Sequence, residues 1–274
     1  ESGIHIAWFS RSGRYRARLI PELPRAGELR LGQYQLALDE ELKLEFSRTI
    51  IAAKLENSMG VLKTWRSNRP GNAPLERTFA ALKNASIGAA AATNESELLG
   101  HEGMAARAWF QALAECVPKT FGFSGRARRP PTDPVNALLS LGYSLLVNWI
   151  AGRIEGRGLD VSLGLCHHSR PGRPALALDL VEELRQPVVD RFVVRTLNLQ
   201  ILQPKHFEEN EGGVRLTREG MKIFFREWER HWALPLSEQG ASNVGATITE
   251  QIEGFVRHVR GASKYEPFLL RGQA

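Results

Sequence analysis

The chain is nearly without cysteine. Cys116 and Cys166 are the only two in 274 residues. That excludes a small secreted scaffold stapled by disulfides and favours a reducing, cytoplasmic compartment. Cys166 stands beside His167 and His168, which hints at zinc, but the further cysteine ligands of a structural zinc site are missing. A membrane span is missing too. The most apolar segment, Val135 to Ala151, is interrupted by Asn136, Ser140, Tyr143, Ser144 and Asn148. It is shorter and more polar than a span and reads as a buried core helix, so no membrane partner is expected. The opening residues carry no signal-peptide pattern. There is no low-complexity tract, disordered tail or internal repeat.

What is present suits a globular protein with a real core: 43% hydrophobic and 24% charged residues. The formal net charge is +6 and the pI about 9.6, with arginine dominant over lysine. That balance favours an anionic partner, and arginine favours phosphate gripped bidentately. The alternative is a solvated basic surface with no partner.

Ile4 to Phe9 and Arg14 to Ile20, joined by Ser10 to Gly13, read as a β-hairpin. An isolated hairpin is marginal in water. No strands follow and the chain begins at Glu1 without methionine, so the expectation is the end of a larger β domain. A Pro/Gly connector follows, and then mostly helix. Leu42, Phe46, Ile50, Ala53 and Asn57 define a helix from about Gly32 to Arg66, with a break near Leu38 to Glu40. Arg48, Lys54, Lys63 and Arg66 are read as its exposed positions. A shorter helix is expected from Pro74 to about Lys83, and one from Asn94 to about Cys116, with Asn94 as cap. In the latter, Leu98, Glu102, Ala105 and Trp109 share a stripe, which puts a carboxylate on the apolar face between Gly100 and Gly103. Helical glycines cost about 1 kcal/mol each relative to alanine unless something must approach the backbone closely. Glu102 is therefore either paired with an arginine or a metal ligand or acid/base.

Phe121 to Pro134 is a basic loop carrying Arg126, Arg128 and Arg129, ending in a Thr132-Asp133-Pro134 helix start. It suits either a phosphate clamp or a solvated loop. Phe207 to Thr217 reads as a hairpin with Gly212-Gly213 at the turn. Thr217 caps a helix through Trp232 whose aromatic stripe is read as core. A last helix runs from Ala246 to Arg260. The densest chemistry lies in Leu159 to Gln186. There, two histidines precede a basic Pro/Gly turn and then a helix from Pro174, expected to bend near Pro187 and run to about Asn198. Asp179 and Glu182 share a face of that helix among apolar neighbours. A carboxylate on a buried face needs a cation, metal or donor. The spacing allows two readings: two solvated acids, or two ligands sharing a metal with His167.

Six blocks, in order along nearly the whole chain, resemble the universal CRISPR-associated integrase of spacer acquisition. They are GIHIAWFSRSGRYRARLIP, RTIIAAKLENSMGVLKTWR, LLGHEGMAARAWFQAL, FSGRARRPPTDPVNALLSLGYSLL, LGLCHHSRPGRPALALDLVEELRQPVVDRFVVR and GGVRLTREGMKIFF. The resemblance implies a mainly α protein. Residues 1–22 would end a small N-terminal β domain, 23–30 would link, and 31–274 would form a large α-helical catalytic domain. It implies Glu102, His167 and Glu182 as ligands of Mg²⁺ or Mn²⁺, with Asp179 as a near-site support or alternate ligand. His167 is chosen over His168 because the family pattern is Gly-x-x-His, here Gly164 to His167. Arg126, Arg128, Arg129 and Arg173 become candidates for DNA phosphates, and Asn136 and Tyr143 match positions lining the site.

The implied activity is metal-dependent joining of prespacer 3′-OH ends into the CRISPR repeat by transesterification, with related endonuclease activity. Binding would be salt-dependent, with a slope of roughly −0.9 per phosphate neutralised. The implied partners are the two DNAs, a second copy in a homodimer, and a small ferredoxin-like adaptation subunit bridging two dimers. An iron–sulfur CRISPR-associated nuclease, fused or separate, is a further one. The alternatives are a metal-dependent nuclease without strand transfer and a non-catalytic helical DNA scaffold.

Overall fold

Side-chain caps written into the sequence set most of the helix starts. A computed structural model describes residues 6–9, 15–19, 26–127, 130–168, 170–236 and 242–270. Strands β1 (Ile6–Phe9) and β2 (Tyr15–Leu19) pair antiparallel as the expected hairpin. Helix α1 (Gly27–Leu38) then begins earlier than expected, so part of the connector is helical. It stops at Asp39, whose carboxylate accepts from the N–H groups of Glu41 and Leu42 at 3.0 Å each. That cap starts α2 (Glu40–Ser67) and makes the break expected there.

Helix α3 (Ala73–Ala91) is capped by Asn72 and runs well past Lys83. The small-residue run after Lys83 continues it, because alanine is the best helix former. At Gly88 in this run a Cβ would overlap the His101 ring, so glycine lets the next helix close in. That helix, α4 (Glu95–Cys116), is capped by Asn94 as expected and makes a helical hairpin with α3.

Helix α5 (Pro134–Gly156) is capped by Asp133, with proline at its first position. By length and composition it could cross a bilayer. In the fold it is a core helix, with Val135, Leu138, Leu139, Leu146, Ile150 and Ile154 all fully buried. Helix α6 (Ala175–Val181) passes through a tight turn at Glu182–Leu184 and a wide π-type turn at Arg185–Asp190 into α7 (Arg191–Asn198). Pro187 lies in the wide turn. Proline lacks an N–H and clashes with the carbonyl four residues back, and the widened turn relieves that clash.

A second hairpin joins β3 (Phe207–Asn210) to β4 (Gly213–Leu216). Its turn is Glu211-Gly212; Gly213 already pairs with Asn210, one residue off the expected turn. Thr217 caps α8 (Arg218–Ala233), and Asn243 caps α9 (Val244–Val259), which starts two residues before the expected Ala246. The aromatic stripe on α8 is core at Phe224 and Trp228, which pack on Phe192, while Phe225 is exposed. The protein is thus mainly α with a small N-terminal β region. Stacked Trp65 and Trp109, 5.0 Å between ring centroids, tie α2 to α4. The seam between α2, α4 and the α6–α7 segment holds the site described next.

Candidate metal centre

Lys54 lies in the middle of α2, between buried Ala53 and Leu55. Sequence spacing had placed it among exposed positions; it is 9% exposed and points into the seam. The signal was there: Ile51, Lys54, Ser58 and Leu62 lie three to four residues apart, and all are buried. Its ammonium bridges two carboxylates from different parts of the chain. It donates to Glu102 Oε1 of α4 and lies 2.6 Å from Glu182 Oε2 of the turn after α6. Arg185 Nε pairs with the other Glu182 oxygen at 3.0 Å. Burial pushes the Glu182 carboxyl up, but Arg185 and then Lys54 outweigh burial and hold it at about 2. Burial pushes Lys54 down, and Glu182 and Glu102 reverse that, leaving it above the usual lysine range.

His167 completes the group. Its Nε2 lies 3.9 Å from Glu182 Oε1 and its Nδ1 lies 2.8 Å from Asp179 Oδ1. Asp179 is fully buried, and the loop before α6 is folded around its carboxylate. The N–H groups of Leu165, Cys166 and His167 donate to it at 2.6, 3.1 and 2.8 Å. Gly164 makes the wrap possible. A Cβ there would come within 2.8 Å of Asp179 Oδ2 and 2.9 Å of the Ala175 backbone. The Asp179 carboxylate, which accepts these backbone donors, also lies against His167 Nδ1, and this aims the Nε2 edge of the ring toward Glu182. This is the carboxylate–histidine arrangement that orients a metal-binding imidazole. Cys166, His167 and Asp179 also lie close enough to be weighed as a metal cluster. Two features argue against it. Asp179 is already committed to four donors, and burial pushes the Cys166 thiol up to about 12, away from the thiolate a metal needs.

Lys54, Glu102, His167, Glu182 and Arg185 line a cleft of about 450 Å³ that also reaches Tyr143, Arg173 and Gln186. Tyr143 lies under the Arg185 guanidinium, 4.8 Å from its ring centroid, and its hydroxyl donates to Asp190. Trp109 Nε1 donates to the same Asp190 carboxylate at 2.7 Å. Burial lifts Asp190 to about 6, against those two hydrogen bonds. Asp190 and Arg185 were not singled out from the sequence; the wide turn at Pro187 brings them here. Behind the site, Glu183 accepts from Tyr265 Oη at 2.6 Å and from the Phe268 N–H at 2.7 Å, strapping the C-terminal segment to the residue next to Glu182. Burial lifts Glu183 to about 8.

The structure places the other candidates less favourably. Arg126 is turned inward and donates to Asn136 Oδ1 at 2.8 Å and Ser140 Oγ at 3.1 Å, so it braces the loop against α5 rather than reaching for phosphate. Asn136 is fully buried and bonded to Asp133 and the Gly125 carbonyl, which leaves nothing for DNA to touch. Arg128 and Arg129 lie outside the described residues. His168 is exposed at the cleft rim, 3.5 Å from Glu95. At Gly100 and Gly103 a Cβ would meet nothing within 4 Å. Among the described residues no neighbouring element approaches the backbone at these two glycines beside Glu102.

The comparisons place the chain in a family. The family described as CRISPR associated protein Cas1 matches residues 1–230. A Thermus thermophilus relative named CRISPR-associated endonuclease Cas1 3 is 34% identical over 275 residues, covering 99% of this chain and 80% of its own. A Rhodospirillum rubrum relative named a CRISPR-associated exonuclease Cas4/endonuclease Cas1 fusion is 35% identical over 236 residues, 83% of this chain and 40% of its own. Among solved structures, a Cas1 protein from Thermotoga maritima superposes with a TM-score of 0.80 at 26% identity, covering 98% of this chain and 81% of that one. A casposase bound to an integration product shares the fold, with a TM-score of 0.84 at 23% identity over 99% of this chain and 76% of that one. A match over most of the length, with one helical architecture throughout, means that the chain belongs to the CRISPR-associated Cas1 family.

Proposed function

We propose that the chain is a metal-dependent DNA endonuclease and integrase of CRISPR adaptation, joining the 3′-OH ends of short DNA fragments into the CRISPR repeat by transesterification. The observation that carries this is the convergence of Glu102 and Glu182 on a single cation, with His167 Nε2 3.9 Å from Glu182. Two carboxylates already closed around a positive charge, plus one imidazole, suit a hard divalent ion such as Mg²⁺ or Mn²⁺. Glu102, His167 and Glu182 would hold it. When bound, such an ion neutralises charge on the reacting phosphate and lowers the pKa of the attacking oxygen. The protein supplies position. Asp179 fixes the His167 ring, Arg185 holds Glu182 ionised, and Arg173 at the cleft is the candidate phosphate contact. No covalent protein nucleophile is required, since phosphoryl transfer rests on positioning and electrostatics.

The relatives' name, endonuclease, supports the nuclease half of this reading. The fusion relative supports a CRISPR-associated exonuclease as a partner, fused or separate; that this nuclease carries an iron–sulfur cluster is part of the proposal. A homodimer bridged to another by a small ferredoxin-like subunit completes the proposed assembly.

The test is a branched DNA, resolved by reversal of strand transfer, incubated with Mn²⁺. The wild-type chain is expected to resolve it, and Glu102→Ala and Glu182→Ala to lose at least ~100-fold in rate while still binding DNA. Resolution at wild-type rate by Glu182→Ala would overturn the site. Cleavage without rejoining would leave the nuclease alternative. Equal binding with and without metal, and no chemistry, would leave the scaffold.

A further inference from the structure

A lysine buried between two carboxylates is chemically costly, and here it stands where a divalent ion would stand. Lys54 Nζ contacts one oxygen each of Glu102 and Glu182. Its side chain leaves the middle of a helix whose neighbouring residues, Ala53 and Leu55, are core. Arg185 differs. It sits on the outer Glu182 oxygen, stacked over Tyr143, and not between the two carboxylates.

We propose that Lys54 is an internal counter-ion that competes with the divalent cation for Glu102 and Glu182, and so sets the metal affinity of the site. This rests on the metal-centre reading above. Without metal, two facing carboxylates would repel; the ammonium holds them together and keeps the site assembled. For metal to bind, those oxygens have to exchange the ammonium for the ion, and a positive charge left nearby opposes the ion's charge. The consequence is a site that is preformed yet binds metal weakly and reversibly. Glu102, Glu182, Lys54 and Arg185 sum to zero charge. A divalent ion would make the cleft net positive, which favours a phosphodiester only once metal has entered.

Calorimetric titration with MnCl₂ on the full chain tests this, using wild type, Lys54→Met and Lys54→Arg. Lys54→Met is expected to bind Mn²⁺ at least ~10-fold more tightly than wild type, since removing a unit charge a few ångströms away exceeds that factor even at a high effective dielectric. Lys54→Arg, which keeps the charge, is expected to stay within ~3-fold of wild type. Thermal unfolding gives a second readout: the metal-free midpoint of Lys54→Met falls, and Mn²⁺ raises it by more than it raises wild type. Should Lys54→Met fail to fold without metal, Lys54→Gln is expected to show the same tightening. Unchanged or weaker Mn²⁺ binding in the neutral variants, with wild-type binding intact, overturns the competition. No Mn²⁺ binding by wild type overturns the metal centre itself and the proposal with it.

Discussion

At the scale of single residues, the site depends on groups that never face the cleft. Asp179 is fully buried, yet its contact with Nδ1 sets which edge of the His167 ring faces the cleft. Asparagine in its place would present an amide N–H to at least one backbone donor and loosen the ring. Asp179→Asn is therefore expected to weaken Mn²⁺ binding by about 10- to 100-fold, the range for a residue supporting a metal ligand. Calorimetry reads it, and an unchanged affinity would reduce Asp179 to a loop-folding role. The sequence showed Asp179 and Glu182 on one face but not how their tasks divide; in the fold they meet opposite nitrogens of one imidazole. Lys54 was misread for a related reason. A lysine at a helical position is normally solvated, and only two distant acids make it cheaper to bury. Arg126 shows a different limit: composition gives a charge and not the direction in which its guanidinium points, here onto Asn136 Oδ1.

At the scale of elements, what was legible was local. Caps at Asn94, Asp133 and Thr217 act within three residues, so those helix starts could be placed from sequence. The bend at Pro187 was legible for the same reason. Its consequence was not: a π-type turn swings Asp190 back to Trp109 and Tyr143. The loop before α6 shows why a glycine stands three residues before the histidine. Gly164 lets backbone close on a carboxylate, and any side chain collides with that carboxylate or with Ala175. Gly164→Ala is expected to cost about 1–3 kcal/mol, the range for overpacking a tight site. In a chain of this size that lowers the melting midpoint by several degrees, at about 2–4 °C per kcal/mol. It should also weaken Mn²⁺ binding, because the displaced group is the His167 support. An unshifted midpoint would mean that the loop relaxes freely and that the wrap around Asp179 is not tight.

At the scale of the molecule, the site exists only because the chain folds back on itself. Lys54 comes from α2, Glu102 from α4, and His167 and Glu182 from either side of α6. Periodicity could place each of them on a face. It could not bring α2 and α4 to the same seam, and only the family resemblance selected Glu102, His167 and Glu182 as one set. The excess of positive charge was legible as a bias toward an anionic partner. The central claim, that these three residues form one metal centre, is tested most directly by anomalous diffraction from crystals soaked in MnCl₂. The expected result is one anomalous peak within about 2.0–2.6 Å of a Glu102 oxygen, His167 Nε2 and a Glu182 oxygen, with Lys54 Nζ moved away from both carboxylates. A peak instead at Cys166, His167 and Asp179, or no peak with Lys54 still bridging the two glutamates, would contradict it.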